Sequence, residues 1–378
     1  MRRAPEAWTP LVDGESAERV LAAVEDIARD LSGSWQAVPG PGLSGGQAGL
    51  ALFFSYCERS LGLAGAGELA ESHLERAIAE LAQQPAPDAS LYHGFAGVAW
   101  VAEHLVVREG SAEDEDLNDE IDEALLSLLR RSPWRGEAEL LGGLVGWGVY
   151  ALERLPHPSA AAMLPLLLAR LAEQTDAVRE LDPGMAHGSA GVIALLARML
   201  REGAAGPEAH ALLAATVDGV LARRPEDEEG DLAWCSGDAG LSVALLAAAY
   251  ATRREDWEST ARRLAAAAGK RYLDDPRGFD PALCHGTAGL AHLFHRLYLA
   301  TGDPALLTAA RRWLEHTLAQ RRPGEGIGGY LCRGRLADGR PGWVADPGFL
   351  GGAAGIGLAL LAAATRVEPA WDRLLLLS

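Results

Sequence analysis

The chain has 378 residues, 49% of them hydrophobic, which is enough to bury a large core. Its formal net charge of −18 argues against a nucleic-acid-binding protein, because phosphate binding needs clustered Lys and Arg. No apolar run reaches the roughly 18 residues that a transmembrane segment needs.

The N-terminal stretch MRRAPEAWTPLVDGESAERV has two arginines but no apolar run after them, so it does not read as a secretory signal. We therefore expect a cytoplasmic protein. Its four cysteines are too few for a disulfide framework, and a reducing compartment favours their use in metal binding or catalysis.

A Gly-x-x-Gly motif recurs along the whole chain. Its copies are GGQAGL (45–50), HGFAGV (93–98), GGLVGW (142–147), HGSAGV (187–192), SGDAGL (236–241), HGTAGL (285–290) and GGAAGI (351–356). The first glycines of successive copies are 48, 49, 45, 49, 49 and 66 residues apart. Seven copies at a nearly constant period indicate a repeat architecture.

Each repeat unit reads as two helices. An amphipathic stretch precedes the glycines, as in residues 16–31, and in residues 303–320, where Asp303 is a candidate N-cap and Pro304 takes the first helical position. A nearly all-apolar run such as LSVALLAAAYA follows the glycines, which predicts a helix buried on every side.

The alternation of these two kinds of helix predicts an all-α protein, an α/α toroid in which seven outer helices surround seven inner ones. We expect one domain over residues 1–378. Two glycines in the first turn of each inner helix would let neighbouring backbones approach closely. The N-termini of the inner helices would then converge on one mouth of the ring, where we expect the chemistry.

Two of the cysteines occupy the same place in adjacent repeats. Cys235 and Cys284 each lie two residues before the first glycine of their unit, and His285 follows Cys284 directly. Two thiolates and an imidazole suit one Zn²⁺ ion per chain and leave an open fourth position. No local zinc motif exists, so this prediction depends on the ring bringing residues 49 apart together.

The other cysteines and histidines support weaker interpretations. Cys57 and Cys332 are interpreted as structural. His93 also precedes a motif glycine, but without a cysteine, and is interpreted as a capping residue. His187 lies one unit before Cys235 and remains open between a structural and a functional role.

A zinc site with two protein thiolates is electron-rich and suits a substrate thiol, which loses its proton on coordination yet stays nucleophilic. This predicts alkylation or addition by a substrate thiol, with His187 exchanging its proton.

The motifs GMAHGSAG, AWCSG, LCHGTAG and GFLGGAAGIGLALL closely resemble those of the lanthionine synthetase C family, the lanthipeptide cyclases. The resemblance extends over essentially the whole chain. It implies an α/α toroid of fourteen helices, zinc ligation by Cys235, Cys284 and His285, and an acid/base role for His187. The implied reaction adds Cys thiols of a precursor peptide to dehydroalanine or dehydrobutyrine, which closes lanthionine or methyllanthionine rings.

Three positions near this site depart from the family pattern. The family commonly has Asp at the position of Glu139, Arg at that of Asp231 and Tyr at that of Ser236. Glu139 still offers a carboxylate that can orient or protonate, so we include it with His187 as a candidate catalytic residue. An Arg at position 231 would have stabilised the enolate that forms on addition.

No dehydratase or kinase segment is attached, so the chain resembles a stand-alone class I cyclase. The expected partners are a dehydrated precursor peptide, a separate dehydratase and an exporter. Two alternatives stay open: a non-catalytic zinc-binding scaffold of a modification complex, and a glutathione-adding lanthionine synthetase-like enzyme.

The last interval between motifs is about 17 residues longer than the others. The extra residues fall in an irregular insert at about 321–349, in which GYLCRGRL and RPGWVA can pair as a small hairpin. The insert is predicted either to cover the mouth and contact the peptide or to form a solvated loop.

Overall fold

The computed structural model describes residues 8–33, 38, 40–109, 116–224, 230–271 and 279–378. Within this part of the chain, most residues are helical, and one two-stranded sheet interrupts the last repeat. In chain order the helices are α1 (Gly14–Gly33), α2 (Gln47–Leu61), α3 (Ala66–Ala82), α4 (Phe95–Glu109), α5 (Asp119–Leu129), α6 (Leu144–Glu153), α7 (Pro158–Glu173), α8 (Thr175–Glu180), α9 (Ser189–Arg201), α10 (Pro207–Arg223), α11 (Asp238–Thr252), α12 (Glu255–Lys270), α13 (Thr287–Thr301), α14 (Pro304–Ala319) and α15 (Ala353–Ala364).

The inner ring consists of the seven helices that follow the Gly-x-x-Gly motifs: α2, α4, α6, α9, α11, α13 and α15. Each of them packs against the next, and α15 packs against α2, so the ring is closed. These helices are buried over most of their length, because the outer helices cover them on one side and the centre of the ring on the other. The predicted α/α toroid is confirmed.

The outer ring consists of α1, α3, α5, α7, α10, α12 and α14, each of which packs on an inner helix or on an outer neighbour. The short helix α8 directly follows α7 and was not expected from the repeat. The N-cap of α14 is as predicted, since Asp303 Oδ1 accepts a hydrogen bond of 2.9 Å from Ala305 N.

The two ends of the helical chain meet where the ring closes. Helix α1 packs on α15, the last inner helix. Just before α1, Leu11 N donates to Ala363 O at 2.8 Å, and Trp8 Nε1 donates to Ala362 O at 2.8 Å. Closure of the ring therefore joins the first outer helix to the last inner one.

A tight turn precedes every inner helix. We call these segments turns 1 to 7 (residues 40–46, 88–94, 137–143, 182–188, 231–237, 280–286 and 346–352) and the end of the ring where they lie the turn face. In turn 6, for example, Thr287 N donates to Asp280 O at 2.9 Å, which folds the turn back onto the start of its helix. The inner helices consequently all begin at this face.

The motif glycines serve this turn more than the packing of neighbouring helices. The first glycine is the N-cap residue rather than part of the helix, as Gly286 is for α13. A Cβ at the second glycine, Gly289, would overlap the carbonyl oxygen of Leu283 in its own turn. Neighbouring units also approach here, since a Cβ at Gly355 would lie 3.0 Å from Cβ of Leu283.

The C-terminal segment fills the centre of the ring. A buried 3₁₀ turn, Ala370–Leu375, accepts hydrogen bonds from Tyr92 Oη to Leu374 O at 2.8 Å and from Trp234 Nε1 to Leu375 O at 3.0 Å. Beyond it, at the end of the ring opposite the turn face, lies a cavity of about 760 Å³. We call this end the far face.

The insert contains the predicted hairpin. Strands β1 (Cys332–Arg335) and β2 (Pro341–Val344) pair antiparallel, with Cys332 opposite Val344 and Arg333 opposite Trp343. Among the described residues, no helix has the length and apolarity needed to cross a membrane.

Candidate active site at the turn face

Turns 5 and 6 place Cys235 and Cys284 next to each other. The interaction between the two thiols is the main reason why the pKa of Cys235 falls to about 6 and that of Cys284 rises. Burial adds to the rise at Cys284, whereas the contact with Ser236 and the charge of His285 add to the fall at Cys235. One of the two sulfurs thus becomes a thiolate near neutral pH, as a metal ligand must.

The backbone hydrogen bonds between neighbouring turns are interrupted where the two thiols lie. Hydrogen bonds join neighbouring turns around the ring: Ser44 N to Tyr92 O, Tyr92 N to Leu141 O, Leu140 N to Ala186 O, Ala186 N to Cys235 O, Cys284 N to Leu350 O and Leu350 N to Ser44 O, at 2.8–3.2 Å. Among the residues that the structure describes, the joint between turns 5 and 6 has no such bond. The two thiols therefore lie at the one joint where the strip of turns is not closed by its backbone.

His285 lies beside the thiols and is held by a carboxylate. Its Nε2 is 3.3 Å from Oδ2 of Asp280, a side chain that is almost fully buried. The hydrogen bond to Asp280 raises the pKa of His285, although burial and the charge of Arg333 act in the opposite direction. A carboxylate that bonds to one ring nitrogen fixes the orientation of the imidazole and leaves the other ring nitrogen for a metal ion. Metal-bound histidines are usually supported in this way.

The three predicted ligands are close but do not form a compact donor triad. Among the described residues, the group of three metal-type side chains with all ligand atoms within 4.8 Å of one another is Asp116, Asp119 and His157. That group lies on the outer surface, where Arg154 Nη2 already pairs with Asp116 at 2.5 Å. Cys235, Cys284 and His285 do not form such a group within 4.8 Å.

His187 and Glu139 meet on the other side of Cys235. Nδ1 of His187 is 3.0 Å from Oε2 of Glu139. The carboxylate is fixed by its own turn, since Leu141 N donates to Oε2 at 2.8 Å and Gly142 N to Oε1 at 2.5 Å. The His187 side chain is 68% exposed, so its other nitrogen faces the mouth and can reach a substrate.

Asp231 and Ser236, the other two departures from the family pattern, bond to each other. Ser236 Oγ donates to Asp231 Oδ2 at 2.8 Å and lies 3.7 Å from Cys235 Sγ. The Asp231 carboxylate also accepts from Leu232 N at 2.6 Å. Asp231 therefore belongs to the turn and places negative charge beside Cys235.

Asp231 has a counterpart in four other turns, and the sequence analysis missed this pattern. In these five turns an Asp lies six residues before the first glycine. Its carboxylate accepts a hydrogen bond of 2.7–3.4 Å from the backbone N–H of the residue two positions after the Asp. These residues are Asp88, Asp182, Asp231, Asp280 and Asp346. The spacing was visible in the sequence, and it would have predicted Asp280 near the metal candidates.

Tyr92 is a second residue that the sequence analysis missed. It holds the same place in turn 2 as the cysteines do in turns 5 and 6, and it is completely buried below the mouth. Burial raises its pKa, and the charges of Cys284 and Glu139 raise it further. Tyr92 thus joins the floor of the site to the central C-terminal turn.

The remaining candidates lie apart from this chemistry or beside it. Cys57 is buried in α2, and burial raises the pKa of its thiol. Cys332 is buried at the start of β1, where burial and the charges of Asp280 and Asp346 raise its pKa. Neither thiol is poised for ligation. His93 is exposed at the turn face, and its backbone N–H donates to Ser90 Oγ at 3.2 Å.

The sequence model of the family described as "Lanthionine synthetase C-like protein" matches residues 38–376, which is most of the chain. The chain belongs to this family. Among solved structures, the LanC-like chain is similar to one titled "Nisin cyclase", with a TM-score of 0.71 and 19% identity over 95% of this chain and 98% of that one. At this identity the likeness establishes the fold. The search of curated proteins found no match.

Proposed function

We propose that this LanC-like protein is a lanthipeptide cyclase that uses one Zn²⁺ ion. Its substrate is a precursor peptide in which Ser and Thr residues have been dehydrated. The product carries lanthionine or methyllanthionine thioether rings. The observation that carries the proposal is the pairing of Cys235 with Cys284 at the open joint of the turns, flanked by His285 on one side and His187 on the other.

The donor set fits the ion. Zn²⁺ prefers soft and borderline ligands. Cys235 and Cys284 offer two neighbouring sulfurs, one of which has a lowered pKa, and His285 offers an imidazole that contacts Asp280. A Zn²⁺ ion held by Cys235, Cys284 and His285 would supply a fourth position at which a substrate thiol loses its proton.

His187 carries the proton through the reaction. Because Nδ1 of His187 pairs with Glu139, its Nε2 is the nitrogen that accepts the proton of the peptide thiol. The sulfur then bonds to Cβ of the dehydrated residue, and the electron pair of the C=C bond moves through Cα to the carbonyl oxygen as an enolate. The imidazolium returns the proton to Cα, so the reaction neither gains nor loses atoms.

Glu139 keeps the His187 ring in one orientation and stabilises its charged form. Both oxygens of the carboxylate accept backbone N–H groups, so the Glu139 side chain is held in place before substrate arrives. Its longer side chain, compared with the Asp common in the family, still reaches Nδ1 from turn 3.

A dehydratase acting earlier and an exporter acting later are the partners that this reaction calls for, and a cytoplasmic location is consistent with the need for free thiols. These remain predictions.

One assay tests the proposal. The zinc-loaded protein is mixed with a dehydrated peptide that contains one cysteine, and free thiols are counted by alkylation and mass spectrometry, since ring closure leaves the mass unchanged. We expect thiol loss with the wild-type protein. Cys284→Ala should abolish it and reduce bound zinc well below one per chain, because one ligand is lost.

Cys57→Ala is the matched control, since it removes a buried thiol remote from the turns and should keep both zinc and thiol loss. Bound zinc with unchanged thiols would instead favour the scaffold alternative. Consumption of added glutathione without ring closure would favour the glutathione-adding alternative.

A further inference from the structure

The hairpin of the insert begins at the candidate active site. Arg333 N donates a hydrogen bond of 3.0 Å to Oδ2 of Asp280, the same oxygen that faces Nε2 of His285 at 3.3 Å. One buried carboxylate oxygen therefore links the first strand of the hairpin to a predicted metal ligand. The start of β1 lies beside the donors, and the hairpin is a wall of the mouth.

The pairing of the strands decides which side chains face outward. Cys332 is buried, so the next residue along the strand, Arg333, faces the opposite side, where it is exposed. Its guanidinium lies 5.8 Å from the ring centre of Trp343, its partner across the hairpin, which is 46% exposed. The cation therefore lies on the exposed side of the strand whose backbone is bonded to Asp280, the carboxylate that contacts His285.

The groups around the thiols are otherwise rich in negative charge. Asp231 bonds to Ser236, whose Oγ lies 3.7 Å from Cys235 Sγ, and Asp280 Oδ2 lies 3.3 Å from Nε2 of His285. Addition of a thiolate to a dehydrated residue creates another anion, the enolate oxygen of the acceptor. In such surroundings that anion is unfavourable unless a cation lies next to it.

We propose that Arg333 is a catalytic residue that binds the carbonyl oxygen of the dehydrated acceptor and stabilises the enolate. The inference rests on the proposed cyclase function. His187 stands on the turn 4 side of the thiols and Arg333 on the turn 6 side. The Cα that receives a proton and the oxygen that bears the charge are only about 2.4 Å apart, given standard bond lengths. One acceptor residue between the two sides can contact both groups.

The electron count of the step is complete. The sulfur lone pair forms the S–Cβ bond, the π pair of Cα=Cβ becomes the C=C of the enolate, and the carbonyl π pair moves to the oxygen beside Arg333. Protonation at Cα by the His187 imidazolium reverses that shift, and the guanidinium keeps its own protons throughout.

Three variants test the inference. Arg333→Gln removes the charge but keeps length and hydrogen-bonding capacity, and Arg333→Lys keeps the charge. Arg335→Gln is the matched control, because Arg335 lies on the same face of the same strand, and its Nη1 donates to Gly339 O at 3.0 Å near the hairpin turn. Single-turnover ring closure is measured over a range of peptide concentrations, with zinc content and melting temperature recorded for each protein.

We expect Arg333→Gln to slow ring closure at saturating peptide by roughly 30-fold, less than the 10²–10³ of a buried oxyanion donor because Arg333 is exposed. The half-saturating peptide concentration, zinc content and melting temperature should stay near those of the wild type. Arg333→Lys, which keeps the charge, should slow ring closure by no more than about fivefold. Arg335→Gln should change the rate by about twofold or less.

A saturating rate unchanged in Arg333→Gln would overturn the inference, as would an equal loss in Arg335→Gln or a loss confined to the half-saturating concentration. An active wild type combined with an unaffected Arg333→Gln rejects this inference alone. A wild type that closes no rings rejects the proposed function, and the inference with it.

Discussion

The two ends of the ring are built from the same helices but differ in the polar groups that they place together. At the turn face, the N-termini of the inner helices surround two neighbouring thiols, and no backbone hydrogen bond joins the two turns that carry these thiols. At the far face, the C-terminal ends of the inner helices meet arginines that are largely matched by carboxylates, as Arg373 is by Glu153. The comparison shows that one scaffold can hold two neighbouring thiols at one end and a set of buried ion pairs at the other.

The far face illustrates pairing in the interior. Burial by itself would raise the pKa of Asp372, but Arg296 and His292 outweigh it and bring the pKa well below its usual range. Burial likewise opposes the ionisation of Glu153, but contact with His104 and the charges of Arg373 and Arg198 lower its pKa to about 2. These carboxylates stabilise the fold as anions, whereas the groups of the turn face are available to a ligand.

The largest expected effect is a loss of catalytic activity from a change at the turn face. His187→Gln removes the group that moves the proton while leaving the thiols and His285 in place. We expect ring closure to slow by about 10³-fold with zinc content unchanged. The measurement is single-turnover ring closure beside metal analysis. Loss of zinc together with activity would show that His187 supports the metal site rather than the proton transfer.

A second change tests whether the turns need their glycines. Gly289→Ala places a Cβ onto the carbonyl oxygen of Leu283, so we expect the free energy of unfolding to fall by about 4 kcal/mol. Gly206→Ala is the control, because Gly206 is also at the start of a helix but has open space around it. Urea denaturation should show a change of about 1 kcal/mol or less there. Equal losses would mean that the close approach in the turn is not the cause.

The smallest expected effect concerns the far face and depends on pH. Glu153→Gln should lower the free energy of unfolding at pH 7 by about 3 kcal/mol and leave ring closure unchanged at temperatures where the protein is folded. Since the folded-state pKa of Glu153 lies below its usual value, its contribution is complete above about pH 4.5 and is lost as the pH falls toward 2. The difference between wild type and variant, measured by urea denaturation, should therefore shrink over that range. A constant difference down to pH 2 would contradict the assigned pairing.

Much of this fold could be predicted from the sequence because it is periodic. The glycine spacing located all seven inner helices, and the shared offset of Cys235 and Cys284 predicted that remote thiols meet. The same offset holds Tyr92, and a second offset holds Asp280, but neither residue type suggested chemistry by itself. Both could have been found by comparing every position of the repeat.

Arg333 could not have been located in this way. It lies in the insert, outside the repeat, so spacing says nothing about where its side chain stands. Its position depends on a tertiary hydrogen bond to Asp280 and on the pairing of β1 with β2. The orientation of His285 toward Asp280 is likewise set by contacts in three dimensions.

Because no backbone hydrogen bond joins turn 5 to turn 6, the chain of hydrogen bonds that links the seven turns is interrupted at one point. Cys235 N–H has no partner in turn 6, whereas Ala186 N–H is bonded to Cys235 O of the next turn. The amide of Cys235 should therefore exchange with solvent deuterium faster than that of Ala186. A ligand bound to both sulfurs would link turns 5 and 6 through their side chains. Binding of such a ligand should then slow amide hydrogen exchange in all seven turns, although the ligand contacts only two of them.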